Sequence, residues 1–383
     1  MEDGQAKPIN YTMKLFSACA IILIVVGHIS PVGFSGPFNM FSPYSFHVAA
    51  FVFVAGYFYK QSRELHPFRY LVLRIKKLIL PLLAINAVYG GIIWALKELL
   101  GIKWGGGISF QTLLIDPFFN GHQFVLNMPM WFIAPLFFAE MINVLIRAAT
   151  KSIPSSLKKE ICILATYLIL GAIAIKLGGS NGLESGFLLL LSRTLFFLAC
   201  LGMGRFYAVA LEKHDSLPNV LYFAILLPLQ LIIILSANGN YAYTVSWCQF
   251  PGGILCTYAV TITGIAFLLR CCRMLSRAFG RSRFVLALAD NTFSIMCHHM
   301  LGFFLVCSSF AFLATVTPWF STFDLSTFLS KPGYRWMPAS VHQMAFVYAA
   351  VGIVISLIIH FLWEKLKHRG SEILYKIKSD VMH

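Results

Sequence analysis

The sequence predicts an all-α protein: a polytopic membrane helix bundle of about ten transmembrane helices. Of its 383 residues, 58% are hydrophobic and only 12% are charged, which is about half the charged fraction typical of a soluble domain. Apolar stretches of roughly twenty residues, the length that crosses a bilayer as a helix, recur along the chain. Together these observations predict one membrane-embedded domain over 1–383, with helices from about 13 to 363 and short tails.

Ten apolar segments can be placed in order along the chain. They cover 13–32, 44–60, 70–95, 129–148, 161–177, 187–209, 218–236, 250–270, 285–316 and 341–363. Two long loops, about 97–128 and 317–340, are rich in Gly, Phe, Trp and Pro. We interpret most of their aromatic residues as interfacial belts, with lid-like segments over a cavity as the alternative.

The lysines and arginines predict the orientation of the bundle. One side of the membrane receives few of them: Lys97, Lys103, Lys176, Lys331 and Arg335. Arg193 lies within a span, and the remaining 24 of the 30 basic residues fall on the other side. Because basic loops stay in the cytoplasm, both termini are expected there. Topology thus explains the formal charge of +15, and no nucleic-acid partner is expected.

The nine cysteines do not indicate a disulfide framework or a metal site. Most of them fall inside apolar spans, and they lack the paired spacing of metal ligands. We therefore expect no metal ion in this protein.

The first span, LFSACAIILIVVGH (Leu15–His28), is an apolar helix that ends on a histidine. An imidazole accepts a proton near neutral pH, and an ionisable group in a membrane segment is costly enough to suggest a function. His28 is therefore the candidate catalytic base, and an ordinary interfacial histidine is the alternative. Lys14 precedes it by fourteen residues, or about 21 Å of helix, so a cation and a base lie near opposite membrane surfaces.

The next two spans add candidates at each surface. His47 opens the second span in FHVAAFVFVAGYFY, where Gly56 permits close helix packing. The third span begins RYLVLRIKKLILP, in which Arg74 and Lys77 are three residues apart and share a helix face. Such a basic face suits phosphate groups. Its alternative interpretation is the topology signal alone.

Later spans contribute further polar residues. Arg270, Arg273 and Arg277 form one stripe, which we interpret as an anchor for anionic lipid rather than a substrate site. The ninth span begins ALADNTFSIMCHHM, and at least one of His298 and His299 is expected to line a polar cavity.

Three charges remain inside predicted spans: Glu140, Arg193 and Asp290. Because isolated charges are costly in a membrane, we expect these three to pair with one another.

Four stretches in order, VVGH at His28, FHVAAFVFVAGYF, RIKKLILP and DNTFSIMCHH, resemble the acyltransferase-3 superfamily of integral-membrane O-acyltransferases. The resemblance covers about 12–365. It implies that His28 is catalytic and that Arg74, with Lys76 and Lys77, binds the acyl-CoA donor. It also aligns His47, and His299 better than His298, with histidines of the family.

The resemblance further implies an O-acetyltransferase that moves an acyl group, commonly acetyl, from cytoplasmic acetyl-CoA or another acyl-CoA. The acceptor would be an extracytoplasmic sugar or other glycoconjugate, and the location the bacterial plasma membrane. One position departs from the family: Ser17 stands eleven residues before His28, where a basic residue is usual. Lys14, about one turn earlier, is the candidate substitute.

Two other function classes fit the same residues. A proton-coupled small-molecule transporter would use His28, His47 and His299 as a proton relay, although we find no inverted repeat of the kind that transporters often show. A membrane-embedded sensing module is the other alternative. The acceptor itself and the oligomeric state do not follow from the sequence.

Overall fold

The computed structural model describes residues 9–29, 37–102, 106–320, 323–330 and 344–381. Over these ranges the chain is helical apart from turns and one isolated bridge between Thr244 and Gln249. Eight of its helices are long and apolar enough to cross a membrane, and a bent pair of helices makes a ninth candidate. The all-α multi-pass prediction is therefore confirmed. Several residues used above for orientation lie outside the described ranges: Lys7, Lys103, Lys331 and Arg335.

The main helices are numbered in chain order. They are α1 (Tyr11–Gly27), α2 (His47–Tyr57), α3 (Pro67–Leu100), α4 (Val125–Ala149), α5 (Leu157–Gly178), α6 (Phe187–His214), α7 (Asn219–Ser236), α8 (Gly253–Phe279), α9 (Arg283–Asp290), α10 (Thr292–Val316) and α11 (Ala345–Val381). Short helical turns occupy Gln111–Ile115, Asp116–Phe119 and Leu325–Ser330. The described parts of the predicted loop 97–128, which are 97–102 and 106–128, thus include helical turns rather than only extended chain.

Each of the ten predicted segments coincides with a helix, but two segments are interrupted. The segment 44–60 is bent by 58° before α2, because Pro43 starts a short turn and Phe46 has a non-helical backbone. The segment 285–316 was wrongly predicted as one helix. Asn291 leaves the helical conformation and its side chain binds the Ala287 carbonyl, a local bond that competes with helix continuation.

α1 lies against α2, α8, α9 and α10, so it occupies the interior of the bundle. Phe16, Ile21 and Val25 are fully buried along it. The helix begins where the Asn10 side chain accepts a hydrogen bond from the Met13 backbone N–H at 3.0 Å. With 17 residues it is about 26 Å long, shorter than a bilayer core of roughly 30 Å. α1 alone therefore falls a few ångströms short of spanning that core.

Helices α2 and α6 approach each other at two glycines. A Cβ atom on Gly56 would lie 1.9 Å from the Leu201 carbonyl oxygen, and one on Gly204 would lie 2.0 Å from that of Phe53. These reciprocal contacts leave no room for a side chain at either position. The prediction that Gly56 allows close packing is confirmed.

The two ends of the bundle differ in chemistry. The end at which α1 finishes with His28 is called the histidine end, and the end at which α1 begins is called the basic end. At the basic end Arg147 binds Glu160 through two bonds of 2.8 and 2.9 Å, and Asp215 pairs with Arg270 and Arg273. These buried arginines are thus paired with carboxylates.

A π turn, Ile75–Ile79, interrupts α3 just after Arg74. A π turn accommodates one more residue than a regular α-helical turn. Arg74 consequently turns into the bundle, where it pairs with Glu140 of α4, while Lys76 and Lys77 remain exposed.

The glycine contact predicts a large difference between two alanine variants. Gly56→Ala should destabilise the protein by about 1–3 kcal/mol or more, because backbone must move to admit the methyl group. Gly91→Ala, in α3, is the matched control, since nothing lies within 4 Å of its Cβ position and alanine favours a helix. Thermal unfolding in detergent measures both. Equal melting temperatures for the two variants would contradict the proposed contact.

Candidate functional site

A cavity of about 640 Å³ lies at the histidine end of the bundle. It is enclosed by the end of α1, the turn before α2, the start of α4 and the loop before α8. Its polar wall residues include His28, Ser42, Tyr44, His47, His122 and Ser246. This volume falls within the range of small-molecule sites.

His28 follows the last residue of α1 and is partly exposed on the cavity wall. Its Nδ1 lies 2.8 Å from the Ile24 carbonyl oxygen and 3.3 Å from His299 Nε2. The His28 and His299 rings are tilted by 51° with centroids 5.0 Å apart. His299 is completely buried behind it, so these two histidines form one hydrogen-bonded pair.

The backbone assigns the tautomers of this pair. A carbonyl oxygen only accepts hydrogen bonds, so the proton of His28 lies on Nδ1, facing Ile24. In the same way the Ile295 carbonyl, 2.8 Å from His299 Nδ1, places the proton of His299 on that atom. His299 Nε2 is then an acceptor for His28 Nδ1–H. His28 Nε2 keeps its lone pair, which is the form needed to accept a proton from a substrate.

His47 lies on the same cavity wall and follows the same pattern. Its Nδ1 binds the Pro43 carbonyl four residues earlier, which leaves Nε2 without a partner among the described residues. Tyr44 connects this turn to the first helix by donating to the Gly27 carbonyl at 2.9 Å. The structure therefore brings His28, His47 and His299 together.

His298 points elsewhere. Its Nδ1 hydrogen-bonds with the Tyr89 hydroxyl at 2.8 Å, on α3. Neither His298 nor His299 is among the residues that line the cavity, whose histidines are His28, His47 and His122. Adjacent residues on a helix point about 100° apart, which explains why only His299 of the two meets His28.

The basic residues assigned to the donor lie far from this cavity. Lys14 pairs with Asp290 at the end of α9, and Arg74 pairs with Glu140. Lys76 and Lys77 are exposed. A recess of about 510 Å³ beside the start of α1 is lined by Asn10, Tyr11, Arg277 and Arg281, among others. The structure thus separates a basic surface from the histidines by the length of α1.

The prediction that Glu140, Arg193 and Asp290 pair with one another was wrong. Glu140 and Asp290 have the basic partners just named. Arg193 donates instead to backbone carbonyls, through Nε to Ser246 at 2.9 Å and Nη1 to Asn120 at 3.1 Å. Backbone oxygens can satisfy a buried guanidinium without an acidic residue, so sequence alone does not reveal the partners.

Sequence reasoning missed an aromatic part of the wall around His122. The His122 ring stacks on Trp247 with centroids 4.5 Å apart, and Trp131 is nearly parallel to it at 6.4 Å. Burial and then the charge of Arg193 lower the pKa of His122 to about 3, so this imidazole is neutral at physiological pH. A histidine in an aromatic-rich loop was the available signal.

No curated protein and no solved structure matches the chain significantly. The family described as an acyltransferase domain matches residues 10–365, which is nearly the whole chain. This match confirms the resemblance found in the four sequence motifs, and it favours an acyltransferase over a transporter or a sensing module. The chain belongs to the acyltransferase-3 family, and this membership implies acyltransferase activity in a membrane.

Proposed function

We propose that this protein is an O-acyltransferase that moves an acyl group, most simply acetyl, from acyl-CoA to a hydroxyl of a sugar or glycoconjugate. The observation that carries the proposal is His28, a partly exposed imidazole on a cavity wall. Its Nδ1–H is bound, and its Nε2 has no partner among the residues that the structure describes. An alcohol is a weak nucleophile at neutral pH, and a positioned base of this kind activates it.

In the first route His28 acts as a general base. Nε2 takes the proton of the acceptor hydroxyl as its oxygen attacks the thioester carbonyl. The tetrahedral intermediate then expels the CoA thiolate, which receives the proton from the imidazolium. While His28 is charged, Ile24 O and His299 Nε2 both accept from Nδ1–H, which stabilises the imidazolium.

In the second route His28 is the nucleophile. Nε2 attacks the thioester and CoA leaves as the thiolate. The acyl-imidazolium then passes its acyl group to the acceptor hydroxyl, whose proton neutralises the thiolate. The two routes need the same tautomer. They differ in whether acyl-CoA alone leaves an acyl mass on the peptide that contains His28, which mass spectrometry of the purified protein can detect.

The proposed orientation follows the distribution of charge. The basic end would face the cytoplasm, with both termini, and the histidine end would face the outside of a bacterial plasma membrane. Lys76 and Lys77 would meet the phosphates of the donor, with Lys14 and the recess at Arg277 and Arg281 close to the start of α1. The acyl arm would extend along α1 toward His28.

Replacing the proposed base tests the proposal. His28→Ala should reduce acyl transfer by roughly 10²–10⁴-fold, the usual contribution of a general base, without loss of membrane insertion. His47→Ala should have a smaller effect, since its imidazole lacks a second histidine behind it. Mass spectrometry of surface glycans from cells expressing each variant measures the added acyl mass. Full acylation by His28→Ala at normal expression would exclude His28 from the chemistry.

A second prediction concerns His299 as a positioning residue. His299→Leu removes the acceptor for His28 Nδ1–H and should lower kcat about tenfold or more, with little change in KM for the donor. His299→Gln, whose amide oxygen also accepts a hydrogen bond, should recover part of the loss. If both variants fail equally while remaining folded, the hydrogen bond is not what matters at this position.

The donor surface gives a third prediction. Lys76→Ala with Lys77→Ala should weaken acyl-CoA binding by roughly ten- to a hundredfold, since a charge-assisted contact contributes about 1.5–3 kcal/mol. Arg74 is a poorer probe because its loss would leave Glu140 unpaired. Lys158→Ala is the matched control, because Lys158 is likewise exposed but lies at the start of a different helix, α5. Titration of the purified proteins with acyl-CoA measures the affinity of each variant. Unchanged affinity in the double variant would mean that Lys76 and Lys77 contribute to membrane topology only.

A further inference from the structure

His122 has a fixed position on the cavity wall and one polar atom to spare. Its Nδ1 lies 3.0 Å from the Asn120 carbonyl oxygen, so Nδ1 carries the proton and Nε2 is an acceptor. Nε2 makes no hydrogen bond with any residue that the structure describes. The ring cannot easily rotate away, because Trp247 is stacked on one face at 4.5 Å and nearly parallel.

Arg193 binds the backbone next to His122 and the backbone next to Trp247. Its Nη1 donates to the same Asn120 carbonyl that accepts from His122, and its Nε donates to Ser246, the neighbour of Trp247. Its guanidinium also lies 5.0 Å from the Trp131 ring. One fully buried side chain thereby joins the loop before α4 to the loop before α8 and sets the stack of three rings.

The charge of Arg193 also determines what His122 can do. Arg193 has no acidic partner among the described residues, so its positive charge opposes a second positive charge on His122. His122 is accordingly unsuited to take a proton. Its free Nε2 remains a hydrogen-bond acceptor and needs a donor group, such as a hydroxyl, from whatever enters the cavity.

We infer that His122 orients the acyl acceptor, with Nε2 accepting a hydrogen bond from a hydroxyl close to the one that is acylated at His28. This inference rests on the proposed function. Both residues line one cavity, and a pyranoside presents hydroxyls on neighbouring carbons. Such a molecule can give one hydroxyl to His28 and another to His122. His122 would then determine which hydroxyl is acylated. Arg193 would hold His122 in place for this role by joining the loop before α4 to the loop before α8.

The experiment uses purified full-length protein with radiolabelled acetyl-CoA. The acceptors are methyl pyranosides of glucose, galactose, mannose and N-acetylglucosamine, each compared with its monodeoxy analogues. Wild-type protein should prefer one parent sugar over one deoxy analogue by roughly tenfold, as expected for a hydrogen bond of about 1.4 kcal/mol. His122→Phe keeps an aromatic ring against Trp247 but has no acceptor atom. It should raise KM for the parent sugar about tenfold and abolish the preference.

His122→Gln restores an acceptor oxygen and should recover part of the preference, which a purely structural role would not produce. If wild type acylates the sugars and His122→Phe keeps every deoxy preference, the inference is wrong and the proposed function stands. If wild type cleaves acetyl-CoA but neither acylates nor binds any of the pyranosides, the sugar acceptor fails and the inference fails with it. Monodisperse elution of both variants shows that they are folded.

Discussion

The site depends on a hydrogen bond between an imidazole and the backbone of its own helix. His28 and His299 each give Nδ1–H to the carbonyl four residues earlier, and His47 does the same in the turn before α2. At these positions a backbone carbonyl determines which ring nitrogen carries the proton and which keeps its lone pair. The pairing of His28 with His299 adds a second acceptor and distinguishes His28 from the others. The chemistry of the cavity follows from His28 at the end of α1 and His47 at the start of α2, with His299 inside α10 behind them.

Burial of charge organises the rest of the bundle. Several arginines inside the basic end have carboxylate partners, as in the pairs of Arg147 with Glu160 and Arg270 with Asp215. Arg193, on the side of the cavity, is satisfied by backbone oxygens instead. Ion pairs between helices hold one end together, whereas at the other end a guanidinium organises loops. The ion pairs fix the helices of the basic end relative to one another. The contacts of Arg193 shape a cavity wall that a ligand can contact.

Much of this architecture was predictable from the sequence. The lengths of the apolar segments predicted the positions of the helices. Because the first segment ends at His28 and the second begins at His47, these two histidines were expected at the same end of the bundle. The pairing of Arg74 with Glu140, 66 residues later, was not predictable, because charge alone does not choose among several carboxylates. Asn291 broke a helix through a local side-chain bond that hydropathy does not register. The His122 wall needed three segments brought together by Arg193, whose backbone partners leave no pattern in the sequence.

The π turn in α3 has a consequence for how this helix can vary. Its extra residue rotates the part of α3 before the turn by about 100° relative to the part after it. Because of that rotation, Arg74 near the start of α3 can pair with Glu140. Tyr89, further along the same helix, can hydrogen-bond with His298. Deleting a single residue between Ile75 and Ile79 would give a more regular helix by every local measure, yet it could satisfy only one of these two partners. The irregular turn is the feature that keeps both ends of α3 in phase with the bundle.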